Sequence, residues 1–135
     1  MQNYHTIYTG RCLCGETCFE INAEPIEPHL CSCNMCRLWA GSATVPWISF
    51  PVEKFKLTGK HKQLNYYHSS EKTQRGRCKV CGSPICAVND GDPLIGLVLT
   101  TIDEPMLSQI VPHHWHNEAS HVPLWWDLSL NQSSE

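Results

Sequence analysis

Short period-two runs of apolar and polar residues, separated by clusters of turn formers, dominate the chain. Thr17 to Ala23 puts Phe19, Ile21 and Ala23 on one face and Cys18 on the other, the pattern of a half-buried strand. Tyr4 to Thr9 is aromatic and β-branched, and Gly10 is expected to break it. Glu53 to Leu57 and Leu64 to His68 alternate on either side of a Gly59-Lys60-His61 turn, and Thr73 to Arg77 follows a polar loop. Ala43 to Phe50 is a further strand, with Pro46 assigning it to an edge or a bulge. Ile85 to Val88 and Leu94 to Thr101 are apolar enough for core strands, joined by the hairpin signal Asn89-Asp90-Gly91-Asp92-Pro93. Pro25 and Pro28 mark a short extended connection, and one helical turn is expected from Asn34 to Trp39. The tail from Pro112 to Leu128 has no clean period, and Asn131 to Glu135 is expected to fray. The pattern predicts a mainly β fold of antiparallel strands.

Composition narrows the class. The 135 residues suit a single domain spanning 1–135. A net charge of -3 provides no general attraction for nucleic acid or anionic lipid, and no basic, aromatic-interleaved surface strand is visible. No apolar run is long enough for a membrane span, and Met1 to His5 lacks the blocks of a signal peptide, so a cytoplasmic protein is expected. In that reducing compartment the nine cysteines point to metal ligation rather than disulfides.

The cysteines fall into clusters. Cys31-Ser32-Cys33-Asn34-Met35-Cys36-Arg37 holds three thiols within six residues, and soft thiolate donors select zinc among abundant divalent ions. Structural zinc takes four protein ligands, so three leave a position for an exogenous ligand. The alternative is a closed site completed by His29, Cys18, Cys86 or a tail histidine. Cys12-Leu13-Cys14-Gly15 and Cys78-Lys79-Val80-Cys81-Gly82 are each half of a second site, both with glycine after the last thiol. A thioredoxin-like use of Cys78 and Cys81 is disfavoured, because Gly82-Ser83-Pro84 leads into a strand rather than a helix.

With these motifs in place, the chain resembles the family of glutathione-dependent formaldehyde-activating enzymes, which also includes centromere protein V. Gly10 to Gly15 resembles its opening G-x-C-x-C-G, Cys31 to Arg37 its C-x-C-x-x-C-R, and Arg75 to Ile85 its R-x-x-C-x-x-C-G-[ST]-x-[IL]. The resemblance spans roughly residues 7 to 128. Ser32 stands where the family commonly has histidine and Arg77 where it has an aromatic residue; neither change removes a ligand. The resemblance implies distorted antiparallel sheets around a zinc ribbon, a β-tent. It implies two zinc ions per chain: a structural one on Cys12, Cys14, Cys78 and Cys81, and a catalytic one on Cys31, Cys33 and Cys36.

The chemistry implied is that of a carbon-sulfur lyase. Three thiolates leave zinc a weak activator of water but still able to take a fourth sulfur, so a small thiol such as glutathione is the expected partner, its sulfur adding to formaldehyde. Glutathione carries two carboxylates, and Arg37, next to Cys36, is the candidate cation for them. Lys72, Arg75, Arg77 and Lys79 are assigned to the surface. Cys18 and Cys86 are expected to be buried thiols. His113, His114, His116 and His121 are candidate proton carriers, and Trp47, Trp115, Trp125 and Trp126 candidate pocket walls. The rival reading is a non-enzymatic zinc module that binds a protein or nucleic acid.

Overall fold

The computed structural model describes residues 7–112 and the backbone of 114–116. Two sheets form. β1 (Ile7–Arg11) and β2 (Cys18–Asn22) make a hairpin, and β5 (Phe55–Leu57) joins β2, giving a three-stranded antiparallel sheet. β3 (Ile26–Cys31), β4 (Val45–Pro51), β6 (Asn65–His68), β7 (Thr73–Arg77), β8 (Pro84–Asn89), β9 (Leu94–Val98) and β10 (His114–His116) form the larger sheet. Its order is β10-β3-β4-β9-β8-β7-β6, antiparallel throughout except for the parallel β10–β3 pair. The expectation of a mainly β fold of antiparallel sheets holds.

The alternation along β4 divides the large sheet into two working faces. Ile48 and Phe50 point toward the small sheet, where they meet Phe19, Ile21, Ile85, Ile95 and Leu97 in the main core. Val45 and Trp47 point the other way and pack with Val98, Cys31 and Cys36 in a second cluster. Burying a large apolar side chain contributes about 1.5–3 kcal/mol, so the first face holds the fold together. The second face carries α1 (Asn34–Ala40) and the middle cysteine cluster.

Several elements depart from the sequence expectation. Gly10 does not end β1; it pairs with Phe19, whose ring lies where a Cβ would sit, 2.2 Å away at Cζ, so the strand passes through glycine because no larger residue fits. The segment around Pro25 and Pro28 is a strand, β3, with Glu27 at φ 46° and a bulge between Ile26 and His29 absorbing Pro28. Pro46 is not on an edge strand, since β4 is paired on both sides. It is tolerated because pairing with β9 begins only at Trp47 opposite Val98. The Leu94–Thr101 run ends as strand at Val98 and turns, with Thr101 Oγ1 donating to the Val98 carbonyl at 2.7 Å. The strand in the tail, β10, escaped the sequence reading. Among the described residues no helix is long and apolar enough to cross a membrane.

Candidate metal centres

Two knuckles of similar construction meet at the first centre. Cys12 N–H donates to the Thr17 carbonyl and Cys78 N–H to the Ser83 carbonyl, each at 3.0 Å, closing two short loops of equal length. Both turns need a left-handed residue after the last thiol, and Gly15 (φ 84°) and Gly82 (φ 79°) provide it. Leu13 N–H donates to Ser83 Oγ at 3.1 Å and ties one knuckle to the other. Backbone N–H groups then aim at sulfur: Thr17 to Cys12 Sγ at 3.3 Å, Glu16 to Cys14 Sγ at 3.4 Å, and Val80 to Cys78 Sγ at 3.3 Å. Such donors favour the thiolate. The Ser83 hydroxyl, 3.1 Å from Cys81 Sγ, does the same and leads the causes that pull Cys81 down to about 5.

The four sulfurs of Cys12, Cys14, Cys78 and Cys81 lie within 4.8 Å of one another, with Cys12–Cys14 at 3.6 Å and Cys14–Cys78 at 3.8 Å. A tetrahedron of zinc–sulfur bonds of about 2.3 Å has edges of about 3.8 Å. The donor set therefore fits a closed zinc site.

The second centre is built where β3 runs into α1. Cys31 ends β3, Cys33 is the N-cap of α1 with its sulfur accepting from Cys36 N–H at 3.4 Å, and Cys36 lies one turn in. The three sulfurs lie within 4.8 Å of one another, and no fourth His, Cys, Asp or Glu donor joins them among the described residues. Cys31 and Cys36 are buried, so ionising all three together is unfavourable without a cation. The neighbouring Cys31 thiol, and then burial, hold Cys36 above its ordinary range, while Arg75 pulls the opposite way. A divalent cation relieves that conflict, and three thiolates in reach of one point suit zinc.

A cavity of about 330 Å³ opens beside this cluster, lined by Cys31, Cys36, Trp47, Arg75, Asn89 and Asp92 among others. Its floor follows from strand register. Arg75, Ala87, Gly96 and Ser49 pair in one row across β7, β8, β9 and β4, and the two small residues in the middle leave the space open. Trp47 walls it and stacks on Trp39 with ring centroids 5.9 Å apart and planes 6° apart. A larger cleft of about 490 Å³ includes Cys12 but no cysteine of the middle cluster, so of these two cavities the smaller adjoins that cluster.

The chain matches the family model of glutathione-dependent formaldehyde-activating enzymes over residues 7–120. The chain belongs to that family. Among solved structures, a Rhodobacter sphaeroides protein is similar in fold, with a TM-score of 0.62 at 17% identity over 79% of this chain and 98% of that one. None of the curated proteins compared matches the chain. The family's activity concerns a small thiol, glutathione.

Arg37, the sequence candidate, directs Nε to the Ser32 carbonyl at 3.1 Å and Nη2 to Asn34 Oδ1, bracing the cysteine loop. Arg75 and Arg77 are not surface cations. Arg75 is only 6% exposed, and Arg77 is half-buried, donating to the Gly82 carbonyl at 2.7 Å and to the Trp39 carbonyl, which links the second knuckle to α1. Lys72 and Lys79 are exposed, as expected. The signal missed was alternation: Thr73, Arg75 and Arg77 share one side of β7, and that side faces α1. Cys86 is buried as expected, whereas Cys18 is half-exposed, with its thiol on the Gly15 carbonyl at 3.3 Å. Ser32 Oγ is buried and has no hydrogen-bond partner among the described residues. Parallel pairing brings the backbone of His116 opposite Cys31. His113, His121, Trp125 and Trp126 lie outside the described residues.

Proposed function

We propose that the chain is a zinc-dependent carbon-sulfur lyase that forms and cleaves S-hydroxymethylglutathione. Zinc would be held by Cys31, Cys33 and Cys36 at the reacting centre and by Cys12, Cys14, Cys78 and Cys81 in the ribbon. The observation that supports this reading most is a three-sulfur cluster on the wall of a cavity, with no fourth protein donor among the described residues. Zinc bound there supplies a Lewis acid that favours the thiolate form of an incoming thiol.

The residues have separate tasks. The cavity confines thiol and aldehyde together, and Trp47 presents a flat apolar wall that keeps water from one side. The glutathione thiol gives up its proton, its sulfur attacks formaldehyde carbon, the carbon–sulfur bond forms, and the carbonyl π pair moves to oxygen, which takes up a proton in place of the one the thiol released; cleavage reverses each movement. Arg37, whose Nη1 makes no hydrogen bond among the described residues, is the cation we assign to a carboxylate of glutathione. We place the activity in the cytoplasm, where a chain of nine cysteines, most of them grouped as metal ligands, suits the reducing conditions.

Exchange NMR of glutathione mixed with formaldehyde measures the rate of adduct formation and cleavage. The wild-type protein should accelerate both directions, and Cys33→Ser should remove the acceleration. Equal exchange rates with and without the protein would end the lyase reading. The non-enzymatic module would then lead, with Leu13 (81% exposed) and Leu38 (80%) as its apolar contacts.

A further inference from the structure

Among the described residues no carboxylate forms an ion pair with the buried Arg75 guanidinium, although Asp92 lines the same cavity. Arg75 is 6% exposed, and the ion pair found among the described residues is His61 with Glu16, elsewhere in the fold. Nε donates to Ser69 Oγ at 3.1 Å, and Nη1 and Nη2 both reach Cys36 Sγ at 3.7 Å. Its Cζ lies 5.0 Å from the Trp39 ring centroid and 5.7 Å from that of Trp47. Removing a permanent cation from water without an anion is unfavourable, and arginine stays charged at every physiological pH.

A metal held by Cys31, Cys33 and Cys36 would make the middle centre that anion. Three thiolates on a divalent cation carry one net negative charge, and one arginine cancels it. We propose that Arg75 is the charge-balancing residue of the middle centre, whose cation lets the site accept an anionic fourth ligand, a thiolate, in preference to a neutral one. The inference rests on the open-site reading above. Without Arg75, a fourth thiolate would bring the centre to two negative charges in a largely buried place. With it, the centre and its ligand together carry one. The geometry favours this role over simple packing: both terminal nitrogens are equidistant from one sulfur, so the fork approaches end-on, while the stacked indoles of Trp39 and Trp47 both lie within cation–π reach of its carbon. Two small neighbours in the row, Ala87 and Gly96, keep the guanidinium at the cavity rather than under a side chain.

Cobalt-substituted protein provides the test, because its visible bands report ligands at each centre separately from turnover. Wild type, Arg75→Gln, Arg75→Met and Arg75→Lys are titrated with glutathione and, in parallel, with imidazole as a neutral ligand. The expected result is that glutathione binding weakens at least about tenfold in the Gln and Met variants, the scale of a lost hydrogen-bonded charge. Lysine should restore it to within about threefold, and imidazole binding should change little in any variant. Glutathione binding as tight in Gln and Met as in wild type would overturn the proposal, as would parallel losses for both ligands. Should the neutral variants lose the four-cysteine bands and prove unfolded, Arg75→Lys decides alone: a tenfold loss despite its retained charge makes Arg75 a packing residue. A wild-type protein silent to glutathione would instead remove the open-site reading on which the proposal stands.

Discussion

The sulfurs of Cys14 and Cys78 lie 3.8 Å apart although 64 residues separate them in the chain. A metal that bridges them closes a loop worth about 4 kcal/mol of chain entropy, in addition to the bonds themselves. Cys78→Ser should therefore destabilise the protein by more than about 3 kcal/mol. Cys33→Ser, which opens no such loop, should unfold close to wild type. Thermal unfolding of both variants, with metal content measured alongside, separates the two centres; equal losses would mean that the middle cluster also carries the fold.

Gly96 keeps the cavity floor open. A Cβ there would meet Trp47 Cε3 at 3.4 Å, ordinary contact, so alanine fits but a branched side chain fills the space. Gly96→Val, in a strand that suits valine, should cost no more than about 1–3 kcal/mol through overpacking. Thiol binding should fall at least about tenfold with metal content unchanged. Calorimetric titration with glutathione checks this, and an unaltered affinity would move the substrate to another surface.

Cys86 gives the core an alkaline limit. Its side chain is fully buried beside Gly76, with the Tyr66 hydroxyl 3.8 Å away, and burial pushes its thiol from the ordinary 9.0 up to about 11. The folded state thus holds a proton that the unfolded chain releases first. The stability this contributes is complete below about pH 9 and is lost as pH rises through about 11. Cys86→Ala should lower stability at pH 7 by about 1 kcal/mol through the space it leaves, yet flatten the decline between pH 9 and 11. Denaturant unfolding across that range compares the two slopes; parallel curves would remove Cys86 as the source.

The architecture was largely legible because β periodicity is local: Phe19 and Ile21, or Ile95 and Leu97, announce their inward face within a few residues. The two cysteine groupings were legible for a similar reason, since the knuckles are complete over four residues (Cys12 to Gly15) and five (Cys78 to Gly82), and glycine closes each. What sequence did not reveal depends on neighbours distant in the chain. Gly10 looked like a breaker until the Phe19 ring occupied the place of its Cβ, and Pro46 looked like an edge residue until β9 stopped one position short of it. Charge alone places Arg75 in solvent. Its burial comes from Trp39 on α1 and Trp47 on β4, and from a sulfur that makes a buried cation affordable.

Zinc-edge X-ray absorption of the doubly loaded protein, before and after glutathione, tests the central claim most directly. One centre of four sulfurs and one of three should give an average between three and four sulfurs per zinc, rising to four when glutathione is added. An average of four without glutathione would mean the middle centre is closed, and a value unmoved by glutathione would mean that no thiol reaches it.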